Sequence, residues 1–240
     1  MKVKRILFLF LVIFGGFGLK AQYIYYKSMP EDSLILFKDS VSKLQFIYKD
    51  TSYKKDYTLH FNYVMRFFTK IEYNKIKVIF KKSKRVTHVK PSFWCFFQAP
   101  ENRTYKVIFS TKSNPTLDSV LLHNLHFNSQ LGMIASEMGN VKELSTDGFF
   151  NLVGWHFRQL SRRSRKKIDH DNDMKVLEIG CGYLLLALSM EEEVKLHIDR
   201  WHNARAYAHY FRHYQNHFMS AEAIKGYIKD MPVYVTHKYR

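Results

Sequence analysis

An α+β fold is what this chain's sequence predicts, and three observations carry the prediction. Before residue 115 the apolar residues are aromatic and β-branched and come in short runs. After residue 115 they recur at helical spacing, and no repeat, low-complexity tract or Gly/Ser linker divides residues 23–240. A strand-rich N-terminal half followed by a helical half indicates segregated α+β layers rather than alternating α/β units.

Taken in order, residues 1–21 read as a signal peptide. Lys2, Lys4 and Arg5 precede an apolar run at 6–19, and Ala21 supplies the small residue at a cleavage point before Gln22. The run is 14 residues long, whereas a membrane span needs roughly 20. No stable span is therefore expected after cleavage, and no Cys stands at the junction for a lipid anchor. The expected location is periplasmic or extracellular. Residues 22–240 then form one domain of a size that buries a proper core.

Residues 57–68 read as a helix leading into a strand at 75–80. Residues 91–97, PSFWCFF, read as an aromatic loop or short strand, and 105–109 as a second strand. The first helix of the second half is expected at 127–141, with Leu131, Ile134 and Met138 on one face and Gly139 near its end. Further helices are expected at 148–160, at 165–189 with a break at Gly180 or Gly182, at 191–217, and at 221–229 with Ser220 as N-cap and Pro232 past its end. At the head of the 191–217 helix, Glu191, Glu192 and Glu193 suit the positive end of its dipole.

Charge narrows the partners. With 38 Lys and Arg against 21 Asp and Glu, the net charge is +17, which favours acidic partners. Nucleic acid is not expected for an exported chain without a binding motif, so the charge points to anionic lipid, a cell-surface polymer or an acidic protein, or serves solubility alone. The two cysteines, Cys95 and Cys181, lie far apart; a disulfide between them would close one long loop and could not be the framework of the fold. There is no CxxC metal site, no GxSxG and no Gly-rich phosphate loop. His209, His213 and His217 fall on one helical stripe, with His202 before them, but no acidic or Cys ligand sits among them, and a solvated face that charges near pH 6 is the better reading. The basic run at 162–167, RRSRKK, reads as a solvated helix start rather than a phosphate grip, being brief and without interleaved aromatics.

The segment with chemical content is 125–140, LHFNSQLGMIASEMGN. It resembles the metal-binding helix of exported zincin-like peptidases, a run of the form FNAQxGxIxHELGH. Ser136 and Asn140 stand where HExxH has its histidines, and Glu137, the general base of that motif, is unchanged. Residues 169–173, DHDND, are similar to the gluzincin ExxxD, with Asp169 at the third ligand and Asp173 as the supporting carboxylate. Gly180-Cys-Gly-Tyr183 is similar to a GLGW-like turn of the same exported group.

The complete motif works because two His four residues apart on one helix face hold one Zn²⁺ while the Glu beside them polarises a bound water. Here Ser and Asn replace both histidines. A four-ligand structural zinc site is worth about 10–16 kcal/mol, so losing two ligands removes roughly 6–8 kcal/mol, and no zinc or other cofactor is expected to stay bound. The resemblance thus implies a zincin-like scaffold with a vestigial Glu137, a pseudo-metallopeptidase holding a peptide or envelope component in the former cleft. That cleft is expected between the 105–109 strand and the Ser136 helix, with peptide pairing along the strand's edge. One alternative is an active metal-dependent hydrolase with an altered ligand set, in which Asp169 joins His170 or His156 around a metal. The other is a basic surface-binding protein of unrelated fold.

Overall fold

The computed structural model describes residues 44–68, 71, 75–92, 98–99, 102–146, 154, 162–198 and 219–235. The expected signal peptide, Cys95 with its aromatic stretch, the 148–160 helix apart from Gly154, His156, and His202, His209, His213 and His217 lie outside the described residues.

The architecture is α+β: one mixed four-stranded sheet and seven helices among the described residues. The strands are β1 (Gln45–Tyr48), β2 (Ile76–Lys81), β3 (Thr87–Pro91) and β4 (Tyr105–Ser110), in the order β1-β2-β4-β3. β1 and β4 run parallel to β2, and β3 is antiparallel to β4. The strands expected at 75–80 and 105–109 are the two inner ones. Their near-continuous IKVIF and VIF runs are buried on both faces, as a covered central strand requires. β1 and β3 were not among the expected strands. β3 reads THVKP, with Thr87 and Val89 buried and Lys90 exposed, a mixed composition suited to an edge.

The first helix, α1 (Thr58–Met65), covers one face of the sheet. Its Phe61 sits edge-on to Phe46 at 5.5 Å and to Phe109 at 6.0 Å, while Phe80 stacks on Tyr53, Tyr57 and Phe109. After the one-turn helix α2 (Pro115–Asp118), the long α3 (Phe127–Thr146) runs through the core, five residues beyond its expected end. It packs against α1, β3, α4 (Arg162–Glu178) and α5 (Gly182–Lys195). Gly132 permits the α3–α5 crossing: a Cβ there would stand 2.2 Å from the carbonyl oxygen of Leu184.

The expected 165–189 helix is two helices, α4 and α5, which break at Gly180. Its φ of 96° closes α4 in a Schellman motif, with the Gly180 N–H on the Leu177 carbonyl at 3.0 Å and the Cys181 N–H on that of Val176 at 3.1 Å. The Tyr234 hydroxyl donates to Leu177 O and accepts the Gly182 N–H at 2.7 Å, stapling this joint to the C-terminal turn α7 (Pro232–Val235). Between them, α6 (Ala221–Asp230) starts from Ser220, whose side chain accepts the Ala223 N–H as expected of an N-cap. No helix among the described residues is long and apolar enough to cross a membrane.

One expectation is overturned here. Glu191, Glu192 and Glu193 do not open a helix; they lie in the last turns of α5, at the negative end of its dipole. Two of the three serve the starts of other helices instead. Glu191 accepts the backbone N–H of His126, just before α3, at 3.0 Å, and Glu193 accepts that of Ala221, the first residue of α6, at 2.9 Å. Burial alone would raise the Glu191 pKa, but hydrogen bonds from Lys195, Ser129 and the His126 N–H hold it below the usual carboxylate range.

Candidate functional site

α3 brings Ser136, Glu137 and Asn140 together because residues three and four apart share a helix face. Ser136 is 0% exposed and Glu137 1%, while Asn140 is half-buried. The Glu137 carboxylate is enclosed between two donors. The Thr87 hydroxyl, from the edge strand β3, bonds Oε1, and the Asn140 side-chain amide reaches Oε2 at 3.4 Å. Burial pushes the carboxyl up to about 7, against the lowering effect of these two bonds.

α4 meets α3 at the same level. The Asn172 amide donates to the Ser136 carbonyl at 3.1 Å, and a Cβ on Gly139 would stand 2.5 Å from Asn172 Oδ1. A residue larger than glycine at 139 would require the Asn172 and Val176 side chains to shift. Asp169 lies three residues before Asn172 on α4 and is half-buried. Asp173 is 0% exposed, and its Oδ2 accepts the Met219 N–H at 2.8 Å. Its carboxylate thus ties α4 to the chain entering α6. On the neighbouring helix, the Ser189 hydroxyl holds the Met219 carbonyl at 3.2 Å.

Among the described residues, no three His, Cys, Asp or Glu side chains gather where they could hold a metal. His170 pairs loosely with its neighbour Asp171 at 3.6 Å and forms no such group with Glu137 and Asp169.

A second expectation falls with the sheet order. The 105–109 strand is β4, hydrogen-bonded to β2 on one side and β3 on the other, so it has no edge on which a peptide could pair. The strand beside the Ser136 helix is β3. In its ladder Val86 O and Ser92 N turn toward β4, and antiparallel alternation turns the backbone groups of Thr87 and Val89 away from it. No further strand lies beyond β3 among the described residues.

Two residues of this cluster, Thr87 and Asn172, escape sequence reasoning. Asn172 sits inside the DHDND run, where the eye goes to the carboxylates. Thr87 lies 50 residues from Glu137, in a polar stretch without a motif.

Compared with known proteins, this chain matches no family model, no curated protein and no solved structure.

Proposed function

We propose that this protein is an exported, non-catalytic member of the zincin-like group, in which α3 and α4 persist as scaffold and binding has replaced hydrolysis. The observation that supports this reading is the enclosure of Glu137. A general base has to reach the proton that it abstracts, directly or through one water. At 1% exposure, with Thr87 on one oxygen and Asn140 facing the other, this carboxyl is committed to holding α3 against β3. The residue at the second-histidine position has itself become a partner of the glutamate.

The substitutions at 136 and 140 fit the same account. An imidazole at Ser136 would have to enter a place that is 0% exposed, on a helix turn whose Ser136 carbonyl is held by the Asn172 amide. Overpacking of that kind costs typically about 1–3 kcal/mol. Thr87 and Val89 are only 2% and 9% exposed, so their outward backbone groups offer a peptide no open edge.

Metal analysis and a casein cleavage assay on residues 22–240, purified without a His tag, test the reading. Well under one equivalent of zinc and no cleavage are expected. Stoichiometric zinc that survives mild chelation, or cleavage abolished by Glu137→Gln, would overturn it and favour the hydrolase with an altered ligand set.

A further inference from the structure

At the end of the sheet where β3 begins, β2 and β4 end side by side. Lys81 is in register with Ser110, so the segments that follow them, 82–86 and 111–114, emerge together at the carboxyl ends of two parallel strands. Open parallel sheets characteristically bind ligands at such ends. Between the two segments lies a depression of ≈ 700 Å³ lined by Lys82, Lys84, Arg85 and Lys112, with Ser83 and Ser113.

We propose that this depression is a binding site for a compact polyanion, a ligand that carries clustered phosphate groups. The inference stands apart from the zincin-like reading, since it uses no residue of α3 or α4.

Charge is the first support. All four cations are exposed, and none forms an ion pair among the described residues. The nearby carboxylates are engaged with other donors. Asp50 accepts from Ser52 at 2.6 Å and from Thr111 at 2.7 Å, with Lys82 close enough to feel its charge, and Asp118 accepts the Ser113 N–H at 2.7 Å. Four like charges around one concavity repel one another, and a bound anion relieves that repulsion.

Rigidity is the second. The hydroxyl of Ser110, 2% exposed, accepts the Ser83 N–H at 3.1 Å and lies 2.7 Å from Lys112 O and 3.0 Å from Ser83 O, one of which takes its proton. The Ser83 N–H also reaches Lys112 O at 3.1 Å, and the Ser113 hydroxyl donates to Lys84 O at 3.0 Å. The two segments are cross-linked before any ligand arrives, so little ordering is left for binding to pay in entropy.

Shape and lining choose the ligand class. The volume falls within the roughly 300–1,000 Å³ of small-molecule sites, whereas a polymer would track an extended stripe. None of the lining residues is aromatic, so nothing there would stack a base. Lys and Arg with two hydroxyls recognise phosphate oxygens by charge-assisted hydrogen bonds.

Titration calorimetry of the purified protein with tripolyphosphate, and flotation with phosphatidylcholine vesicles with and without phosphatidylglycerol, form the test. Saturable binding of tripolyphosphate or of the phosphatidylglycerol vesicles is expected, the first pointing to a soluble ligand and the second to a lipid headgroup. The variant Lys82→Gln/Lys84→Gln/Lys112→Gln should weaken it by at least about tenfold. A control that removes as many exposed charges elsewhere, Lys54→Gln/Lys225→Gln/Lys229→Gln, should weaken it less than about threefold. Equal losses in the two variants would reduce the effect to net charge and overturn the site. Failure of both probes to bind, or binding confined to a DNA oligonucleotide, would overturn it as well.

Discussion

Two regions of this molecule handle charge in opposite ways. Where α3 meets β3, one carboxyl is removed from water and surrounded by donors from two elements; at the carboxyl ends of β2 and β4, four cations are left in water with no ion-pair partner among the described residues. A buried group that is satisfied by its neighbours serves the fold, because any departure leaves a desolvated polar atom unpaired. An exposed group without a partner adds little to stability and is free for a ligand. The two regions should therefore separate under mutation: changes around α3 should move stability, and changes in the depression should move binding.

The largest effect is expected at Gly132. A valine there would drive its Cβ to 2.2 Å from the Leu184 carbonyl oxygen and 2.8 Å from the carbonyl carbon, both backbone atoms of α5 that no side-chain rotation can move aside. Gly132→Val should destabilise the protein by about 3 kcal/mol or more, read by urea denaturation. A loss under about 1 kcal/mol would mean that the α3–α5 contact is looser than this geometry.

Next in size is the pH response of Glu137. Its folded-state pKa of about 7 lies above the ordinary 4.5, so the folded state holds the proton more tightly than the unfolded chain. That contribution is full below pH 4.5 and is lost as the pH rises through 7. A shift of this size corresponds to about 3 kcal/mol. Glu137→Gln, which has no proton to lose, should match the parent near pH 4 and exceed it by up to about 3 kcal/mol at pH 8. The comparison is between variant and parent at each pH. Burial lowers the pKa of His60 and of His88 to about 4, an effect of opposite slope that cancels in this difference. A constant offset between the two proteins across the range would show that the Glu137 carboxyl titrates alike in the folded and unfolded chain, and would overturn the shift.

The same contrast explains what could be read from the sequence. The inner strands were legible because a strand covered on both faces must be apolar through its middle, as Val78 to Phe80 and Val107 to Phe109 are. The edge strand β3 was not, since Lys90 and His88 break its apolar pattern and its pairing partner lies beyond a loop. The Gly180 break was legible from glycine's tolerance of a left-handed backbone. Closeness of Ser136, Glu137 and Asn140 follows from helix periodicity, but the tie from Thr87 to Glu137 is a tertiary contact without a local signature. Glu191 and Glu193 were assigned to the wrong helix start for a related reason: spacing describes the helix that carries a residue and is blind to helices that dock against it. The depression combines both cases. Its cations at 82, 84 and 85 are neighbours in sequence, whereas Lys112 joins them only through the parallel register of β2 and β4.

The smallest expected change in stability is the sharpest test of the comparison. Lys82, Lys84 and Lys112 are exposed, and none of them forms an ion pair among the described residues; the hydrogen bonds that hold their segments run through backbone groups and serine hydroxyls, which Lys→Gln leaves in place. Against this stands one favourable term, the attraction between Lys82 and Asp50, which solvent screens at so exposed a site. Removing three like charges from one concavity also relieves repulsion, so the two terms oppose each other. Lys82→Gln/Lys84→Gln/Lys112→Gln should accordingly lie within about 0.5 kcal/mol of the parent in urea denaturation, while losing most of its affinity for tripolyphosphate or phosphatidylglycerol vesicles. A loss of 2 kcal/mol or so would show that these lysines hold the two segments together, and the division between a sealed region that folds the chain and an open one that binds would fail at the point where it is drawn.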